Sequence, residues 1–412
     1  MRFPLFCPGG LYKSRLLWSI MHESDRDVPE GKTMHEGRGA VPPPKMNRRN
    51  FLRLGSAGLA GAVLLGTAGG GVLAQATPSV RRDFEAAAER YGVPVELLLA
   101  MGYVNTMWEM PAPNPFDPED LHGSGTYGVL QLRRTPSEDT LGKAASLTEL
   151  PNEKLKTDRA SNILGGAAVL AEMAGTSRPA DLNGWYEIVA DYEGSPGYAN
   201  EVYGVLEDGA VKETLGGERV SLSSHPEAEQ RAVPTSRSTG EAPGSTWYGN
   251  NNGDNRTNRN RGDAEIDKIV VHVGQGDYWG IINWFRHPDN TGSSAHYTVS
   301  KQGAIGQSVK EADIAWHAGW WATNKASIGI EHAGYINDPS WFTEDMYRAS
   351  ARLAAYLSKR YGIPLDRRHI IGHHEVPGCS GRGGGVHCHT DPGNNWKWGK
   401  YMDLVKRYRR RM

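Results

Sequence analysis

The sequence predicts a chain of two folded units, an all-helical unit at residues 80–206 followed by an α/β unit at residues 263–405. Three observations predict this arrangement. Apolar residues recur at helical spacing in the first unit. The second unit mixes short apolar runs of strand type with one long amphipathic helix. Residues 207–262 between them lack apolar periodicity and are rich in Ser, Gly, Pro and charge, which is typical of a flexible linker.

The bulk composition limits the classes of protein. The chain has 412 residues, enough for two or three domains, and a formal net charge of −1. A balanced charge gives no electrostatic reason to bind nucleic acid, and we do not expect nucleic acid as a partner. The three cysteines, Cys7, Cys379 and Cys388, are too few for a disulfide scaffold. We expect a monomer.

A leader-like segment occupies residues 46–76. Arg48 and Arg49 precede a weakly apolar, Ala/Gly-rich run that ends in Ala74-Gln75-Ala76, a small-x-small cleavage signal. The segment resembles a twin-arginine signal peptide. This resemblance implies a secreted or cell-envelope protein without stable membrane insertion after cleavage. A single membrane anchor is the alternative, although the Gly content makes a poor span. Residues 1–45 show no periodicity, and we expect a mis-assigned or disordered extension.

The helical unit begins with "RRDFEAAAERYGVPVELLLAMGYVNTMWE", which predicts two helices. Pro94 stands at the start of the second helix. The apolar face of that helix has helical spacing and consists of Leu97, Leu98, Met101 and Val104. The segment "ASNILGGAAVLAEMA" predicts a further helix.

Strand-type runs in the α/β unit carry chemically reactive side chains. "IDKIVVHVGQG" predicts a buried strand that His272 interrupts, and "SIGIEHAGY" places Glu331 at the end of another. "RRHIIGHHEVPG" predicts a short strand that delivers His373 into a Gly-rich loop. "SAHYTVSKQGAIGQSV" predicts a hairpin. A helix follows Thr343, a capping residue, and ends at Gly362.

The combination of these side chains predicts a metal site. His272, Glu331 and His373 follow strands, and the loop adds Asp391. Two neutral imidazoles and one carboxylate on Zn²⁺, with a fourth position left for water, make a catalytic zinc site. Each residue taken alone has a second interpretation as a hydrogen-bonded core residue.

Six motifs between Ile266 and about Met402 give this unit a family resemblance. They are "IVVHVGQG", "SSAHYTVSKQGAIGQ", "DIAWHAGWW", "SIGIEHAGY", "IIGHHEVPG" and "HTDPG", in that order. The unit resembles the zinc-dependent N-acetylmuramoyl-L-alanine amidases of the second amidase family, relatives of phage lysozyme amidases and peptidoglycan recognition proteins. The resemblance implies a mixed β-sheet flanked by helices. It also implies peptidoglycan as substrate, and hydrolysis of the amide bond between N-acetylmuramic acid and L-alanine.

The resemblance also assigns residues. It implies that His272, His373 and Asp391 hold Zn²⁺ and that Glu331 is the catalytic acid–base. The family often has Lys two residues before the Asp ligand. This sequence has His389 there, which donates only when protonated or in a suitable tautomer. We expect His389 to stabilise the oxyanion.

Three further residues are expected in the substrate groove. Trp316 and His317 lie in "AWHAG", and His296 lies in "SAHY". Packing in the core or behind the ligands is the alternative interpretation for all three.

The Gly-rich loop is longer than the family usually shows. Its extra residues bring Cys379 and Cys388 within reach of each other, and outside the cytoplasm they are expected to pair. Two alternatives remain open: Cys388 replaces Asp391 as the third ligand, or a second metal forms with His387 or His374.

The helical unit resembles the lysozyme-like fold of soluble lytic transglycosylases through "YGVLQL" and "DYEGSPGY". The family's catalytic Glu-Ser pair falls on Asn105-Thr106, and Asn has no proton to give a glycosidic oxygen. The unit is therefore interpreted as a glycan-binding module without catalysis. The alternatives are Glu109 as a substitute acid and a plain helical spacer. For the whole chain, the alternative functions are a non-catalytic peptidoglycan-binding protein and a bifunctional enzyme that also cleaves glycan.

Overall fold

The computed structural model describes residues 79–118, 120, 122–232, 239–249, 257–258, 261–376 and 389–412. The expected extension at 1–45, the signal peptide at 46–76, and Cys379, His387 and Cys388 lie outside the described residues. No helix in the described ranges is long and apolar enough to cross a membrane.

The N-terminal part of the described chain consists mainly of helices, as the sequence predicts. A two-strand ladder joins Thr126–Tyr127 (β1) and Leu132–Arg133 (β2). The second helix is buried on nearly every side, because its apolar residues cover several faces. The helices lie at Val80–Tyr91 (α1), Val95–Thr106 (α2), Thr140–Thr148 (α3), Asn152–Thr157 (α4), Arg159–Ala174 (α5), Tyr186–Glu193 (α6) and Pro196–Asp208 (α7).

The segment expected to be a flexible linker contains ordered strands. Ala210–Glu213 (β3) and Arg219–Leu222 (β4) form an antiparallel hairpin. Val220 and Leu222 are buried while their neighbours are exposed, so β4 has one face on the core. Only two apolar residues alternate with polar ones in this strand, and the surrounding residues are polar, so the sequence does not reveal it as a strand. Ser245–Trp247 (β5) joins the main sheet further on.

The α/β unit is built on a mixed sheet. The strands of this unit lie at Thr257–Asn258 (β6), Lys268–Val271 (β7), Tyr297–Val299 (β8), Ile305–Gln307 (β9), Ile314–Ala315 (β10), Ser327–His332 (β11) and Ile370–Gly372 (β12). The sheet has six strands in the order β12-β7-β11-β8-β9-β5. Neighbouring strands are parallel except β8 and β9, which form the predicted hairpin. A separate ladder joins β10 to β6.

Helices flank this sheet, which fits the expected α/β amidase fold. They lie at Tyr278–Arg286 (α8), Trp321–Ala326 (α9), Glu344–Tyr361 (α10) and Trp398–Arg409 (α11). The predicted boundaries of α10 are confirmed. Thr343 accepts a hydrogen bond of 3.1 Å from the Met346 N–H, and Gly362 ends the helix with φ 70°.

The helical unit and the α/β unit pack together within one compact body. Lys301, in the turn between β8 and β9, is buried, and its Nζ lies 4.4 Å from the Tyr103 ring centroid of α2. Lys212 of β3 forms an ion pair of 2.8 Å with Asp338. The two units are therefore docked, which differs from the tethered arrangement that the composition of residues 207–262 suggests.

Candidate active site

The parallel strands of the sheet bring the predicted ligands together. His272 directly follows β7, and His373 directly follows β12, so both lie at the carboxyl edge of the sheet. Asp391 comes back to the same edge from the loop. Its Oδ2 lies 3.3 Å from His272 Nδ1, and its Oδ1 lies 3.1 Å from His373 Nδ1. One ligand atom from each of the three buried residues lies within 4.8 Å of the others.

These residues fit a zinc ion. Within the described chain, His272 Nδ1 and His373 Nε2 are buried without a hydrogen-bond partner. Such buried polar atoms are rare and call for a ligand or ion. Burial, followed by the charge of His373, lowers the pKa of His272 to about 3. Burial opposes ionisation of Asp391, but the two histidines hold its pKa well below the usual range. Neutral imidazole with carboxylate is the form that binds zinc.

A chain of hydrogen bonds fixes the tautomer of His272. The Ser327 hydroxyl donates to Thr323 O at 2.5 Å, so it accepts from His317 Nε2 at 3.2 Å. His317 Nδ1 must then be the acceptor for His272 Nε2, 3.0 Å away. The lone pair of His272 is consequently on Nδ1, the atom that faces Asp391.

Two residues expected in the groove lie behind the ligands instead. His296 and His317 have exposed fractions of 0% and 1%. The Gly329 N–H donates to His296 Nδ1, and the Arg261 guanidinium lies 2.9 Å from His296 Nε2. Both side chains are thus enclosed by protein and support the site from behind, which was the alternative interpretation. Trp316 is partly buried, and its contact with substrate stays a prediction.

Glu331 lies beside the ligand cluster near the end of β11. Its side chain is fully buried, and neither carboxylate oxygen has a hydrogen-bond partner among the described residues. Oε1 lies 3.9 Å from His272 Nδ1. Burial raises the pKa of Glu331, while the charges of His122 and His373 oppose the rise. A carboxylate with a raised pKa is suited to accept a proton and return it.

His122 is a site residue that the sequence analysis missed. It comes from the loop between α2 and β1 in the helical unit, and its Nε2 lies 3.8 Å from Glu331 Oε1. Burial disfavours its charged form, but Glu331 and Asp391 together raise the pKa of His122 to about 9. In the sequence it is a lone histidine in "DLHGSGTYG", and only the docking of the two units reveals its place.

His389 lies beside one of the proposed ligands. Its ring stacks on the His373 ring, with centroids 3.6 Å apart and planes at 15°. Burial and the charge of His373 lower the pKa of His389 to about 4. His389 is therefore neutral near pH 7, and its role toward the oxyanion stays a prediction.

A groove between the two units leads to Glu331. It has two compartments that share His122 and Gln275. The inner compartment reaches Glu331. The outer one has a volume of about 340 Å³ and is lined from both units, by Glu109 on one side and Tyr335 on the other. We call these compartments together the inter-unit groove.

The two residues considered for acid catalysis in the helical unit are held by protein contacts. Asn105 is fully buried, donates from Nδ2 to Val129 O at 3.1 Å, and accepts from the Tyr198 hydroxyl at 2.9 Å. Glu109 accepts from the Leu215 N–H at 2.7 Å and pairs with Lys212 at 3.2 Å. Asn105 is thus a satisfied core residue, and Glu109 is held as an ion-paired carboxylate.

Comparisons with known proteins show which family the chain belongs to. Residues 262–394 match the family model Amidase_2, N-acetylmuramoyl-L-alanine amidase. The chain is 32% identical over 158 residues to N-acetylmuramoyl-L-alanine amidase A of Achromobacter lyticus, covering 34% of this chain and 84% of that relative. It is 32% identical over 120 residues to 1,6-anhydro-N-acetylmuramyl-L-alanine amidase AmpD of Haemophilus influenzae, covering 27% of this chain and 59% of that relative.

Among solved structures, a selenomethionine derivative of AmpD matches with 23% identity and a TM-score of 0.32, covering 41% of this chain and 98% of that one. From the sequence relatives, the chain belongs to the N-acetylmuramoyl-L-alanine amidase family. This membership confirms the predicted enzyme class, a peptidoglycan amidase. The family match begins at residue 262 and does not include the helical unit.

Proposed function

We propose that this chain is a zinc-dependent hydrolase of the amide bond between N-acetylmuramic acid and L-alanine. His272, His373 and Asp391 would hold Zn²⁺, and Glu331 would act as general base and acid. One observation carries the proposal: His272 Nδ1, which lacks a hydrogen-bond partner among the described residues, lies 3.3 Å from an ionised Asp391, and the buried Glu331 carboxylate beside it lacks such a partner too.

In this proposal, the zinc ion and the side chains of the protein have separate roles in amide hydrolysis. When bound, zinc activates water and polarises the scissile carbonyl. Glu331 accepts a proton from the attacking water and delivers it to the leaving nitrogen, a role that its raised pKa favours. The Ser327 hydroxyl and His317 keep His272 Nδ1 free of a proton. His389 is the proposed donor to the developing oxyanion, which is typically worth about 3 kcal/mol.

We propose that the helical unit is lysozyme-like and holds the glycan part of the substrate in the outer compartment of the inter-unit groove. Tyr335 and Asn337 line this compartment, and it opens toward Glu331 through His122. Such a mix of aromatic and carboxamide side chains suits a sugar ring with amide substituents. The packing of Asn105 and Glu109 speaks against a second, glycan-cleaving activity.

We further propose export by the twin-arginine pathway to the cell envelope or beyond, as a monomer. The leader at residues 46–76 is the basis for this. An oxidising compartment would let Cys379 and Cys388 form a disulfide across the Gly-rich loop.

Digestion of purified peptidoglycan, analysed by mass spectrometry, tests the function. We expect zinc-loaded protein to release stem peptides that begin with L-alanine. Chelator should abolish release, and Glu331→Gln should reduce it by about 10³-fold while zinc content stays equimolar. Anhydro- or reducing-end disaccharides would instead show a glycan-cleaving enzyme. Binding to intact wall without any release would show a non-catalytic binding protein.

A further inference from the structure

We propose that His122 of the helical unit positions the Glu331 carboxylate for the amidase reaction, so that the helical unit completes the active site. The proposal rests on the proposed function of Glu331. It concerns a residue outside the ligand set and outside the matched segment, which begins at residue 262.

The surroundings of Glu331 leave its carboxylate without any direct anchor. Among the described residues, both oxygens lack a hydrogen-bond partner, and Oε1 lies 3.8 Å from His122 Nε2 and 3.9 Å from His272 Nδ1. The lone pair of His272 Nδ1 is committed to the metal site, as the Ser327 and His317 hydrogen bonds indicate. His122 is therefore the one of these two partners that is free to orient Glu331.

The loop that carries His122 is braced. The His122 N–H donates to Asp120 Oδ1 at 2.9 Å, and the His122 carbonyl accepts from the Ser124 N–H at 2.9 Å. Gly123 lies against Asp117 so closely that a Cβ would come within 2.4 Å of the Asp117 carbonyl oxygen. An imidazole held by such a loop loses little freedom when it engages Glu331.

The loop is also fixed to the α/β unit. Phe116 packs edge-on against Trp284 of α8, with ring centroids 6.1 Å apart. Ser137, further along the helical unit, donates through its N–H and hydroxyl to Asp289 at 2.8 and 2.7 Å. These contacts set the distance between His122 and Glu331 through the packing of the two units.

His122 lies outside the metal cluster. Its ring centroid is 6.5 Å from that of His373, and it is not part of the group formed by His272, His373 and Asp391. Removing its imidazole should therefore leave zinc binding intact and affect the placement of Glu331. Small displacements of a catalytic group can cost about 100-fold in rate.

Kinetics of the full zinc-loaded chain on a soluble muramoyl-peptide test this role. For His122→Ala we expect kcat to fall by about 10- to 100-fold while KM changes by less than about threefold. His122→Gln keeps an N–H donor and should recover most of the loss. His225→Ala is the control. It removes a histidine that pairs with Glu227 at the surface, and its kcat and KM should match those of the wild type.

A double substitution makes the test specific. If His122 acts through Glu331, adding His122→Ala to Glu331→Gln should not lower the residual rate further. Zinc content and thermal unfolding temperature should stay close to those of the wild type. An unchanged kcat, a rise in KM alone, additive effects in the double variant, or loss of zinc would each overturn the proposal. Failure of the proposed function shows separately, as a wild-type chain that binds zinc but releases no peptide.

Discussion

The Ser327 hydroxyl, which is linked to His272 through His317, determines which nitrogen of His272 is available to a metal. Ser327 has one proton and gives it to Thr323 O, which forces His317 to donate to Ser327 and accept from His272. This series of hydrogen bonds leaves the lone pair of His272 on Nδ1, the atom that faces Asp391. Outer partners of this kind commonly change metal affinity by 10- to 100-fold.

We therefore expect Ser327→Ala to weaken zinc binding by about 10-fold, because His317 loses its acceptor and no longer selects one tautomer of His272. Competition with a chromogenic chelator measures the affinity. Ser358→Ala is the matched control, since Ser358 is also buried and donates to Ile363 O at 2.7 Å at the end of α10. It should cost about 1 kcal/mol of stability and leave zinc affinity unchanged. Equal affinities in wild type and Ser327→Ala would contradict the tautomer assignment.

A second residue-scale effect concerns pH. Asp277 precedes α8 and accepts from the Trp279 and Gly280 N–H groups at 2.9 and 3.1 Å. Burial, then the charge of Glu201, raises the pKa of Asp277 to about 6 in spite of these bonds. Its contribution to stability is present below the ordinary pKa of about 4 and is lost as pH rises through about 6.

Asp277→Asn keeps a capping oxygen and removes the buried charge. We expect the unfolding free energy of the variant, relative to wild type, to rise by roughly 1–3 kcal/mol between pH 4.5 and pH 7.5. Urea unfolding at the two pH values measures this. Asp158→Asn, at the start of α5, should show no such rise over this range, because hydrogen bonds from Ser161 outweigh burial and lower the pKa of Asp158, so that its contribution to stability is lost only as pH falls below the ordinary pKa of about 4. A pH-independent difference for Asp277→Asn would contradict the assignment.

The three proposed ligands could be predicted from the sequence because each lies in a recognisable local pattern. His272 and His373 come directly after apolar runs, and Asp391 lies in a distinctive "HTDPG" segment. His122 could not be predicted in this way. It has no strand before it and no motif around it, and its partner Glu331 lies more than 200 positions along the chain.

At the scale of elements, helix contacts between the units depend on small residues. Gly197 of α7 faces the Trp279 ring of α8, and a Cβ on Gly197 would lie 2.2 Å from that ring. Gly204, two turns further along α7, would place a Cβ 3.4 Å from the nearest atom, at the end of the Gln230 side chain. One helix thus carries a tightly packed and a loosely packed glycine.

Gly197→Ala should lower the free energy of unfolding by about 1–3 kcal/mol, because the indole of Trp279 must move. Gly204→Ala should be neutral or raise it by up to about 1 kcal/mol, since Ala is the better helix former. Denaturant unfolding followed by tryptophan fluorescence measures both. Equal effects of the two substitutions would show that α7 and α8 are not in close contact in solution.

The sequence predicts the elements with strong local signals, but it does not predict the strands β3, β4 and β5. Thr343 and Gly362 mark both ends of α10 in the sequence, and the structure has them there. The strands β3, β4 and β5 have three or four residues each. They lie in a polar stretch whose composition predicts a linker. β3 and β4 pair with each other, and β5 pairs with β9, which is distant in the sequence.

At the scale of the whole molecule, the docked units share buried charged groups. Lys301 Nζ lies 4.4 Å from the Tyr103 ring and 5.1 Å from the Trp341 ring. Cation–π contacts of this type are stronger when they are desolvated. Burial lowers the pKa of Lys301, so aromatic faces compensate part of the cost of placing a cation between the units. Sequence patterns define each unit well but contain no signal for contacts of this kind.

The strand β5 has a consequence for anyone who shortens this chain. It pairs with β9 at the outer edge of the six-stranded sheet, although it precedes residue 263, where sequence alone would start the second unit. A protein cut at that boundary would leave the N–H and C=O groups of β9 without their neighbour. Exposed strand edges of this sort recruit other chains. Such a fragment would therefore tend to self-associate, and a cut that spares residue 239 onward would avoid this.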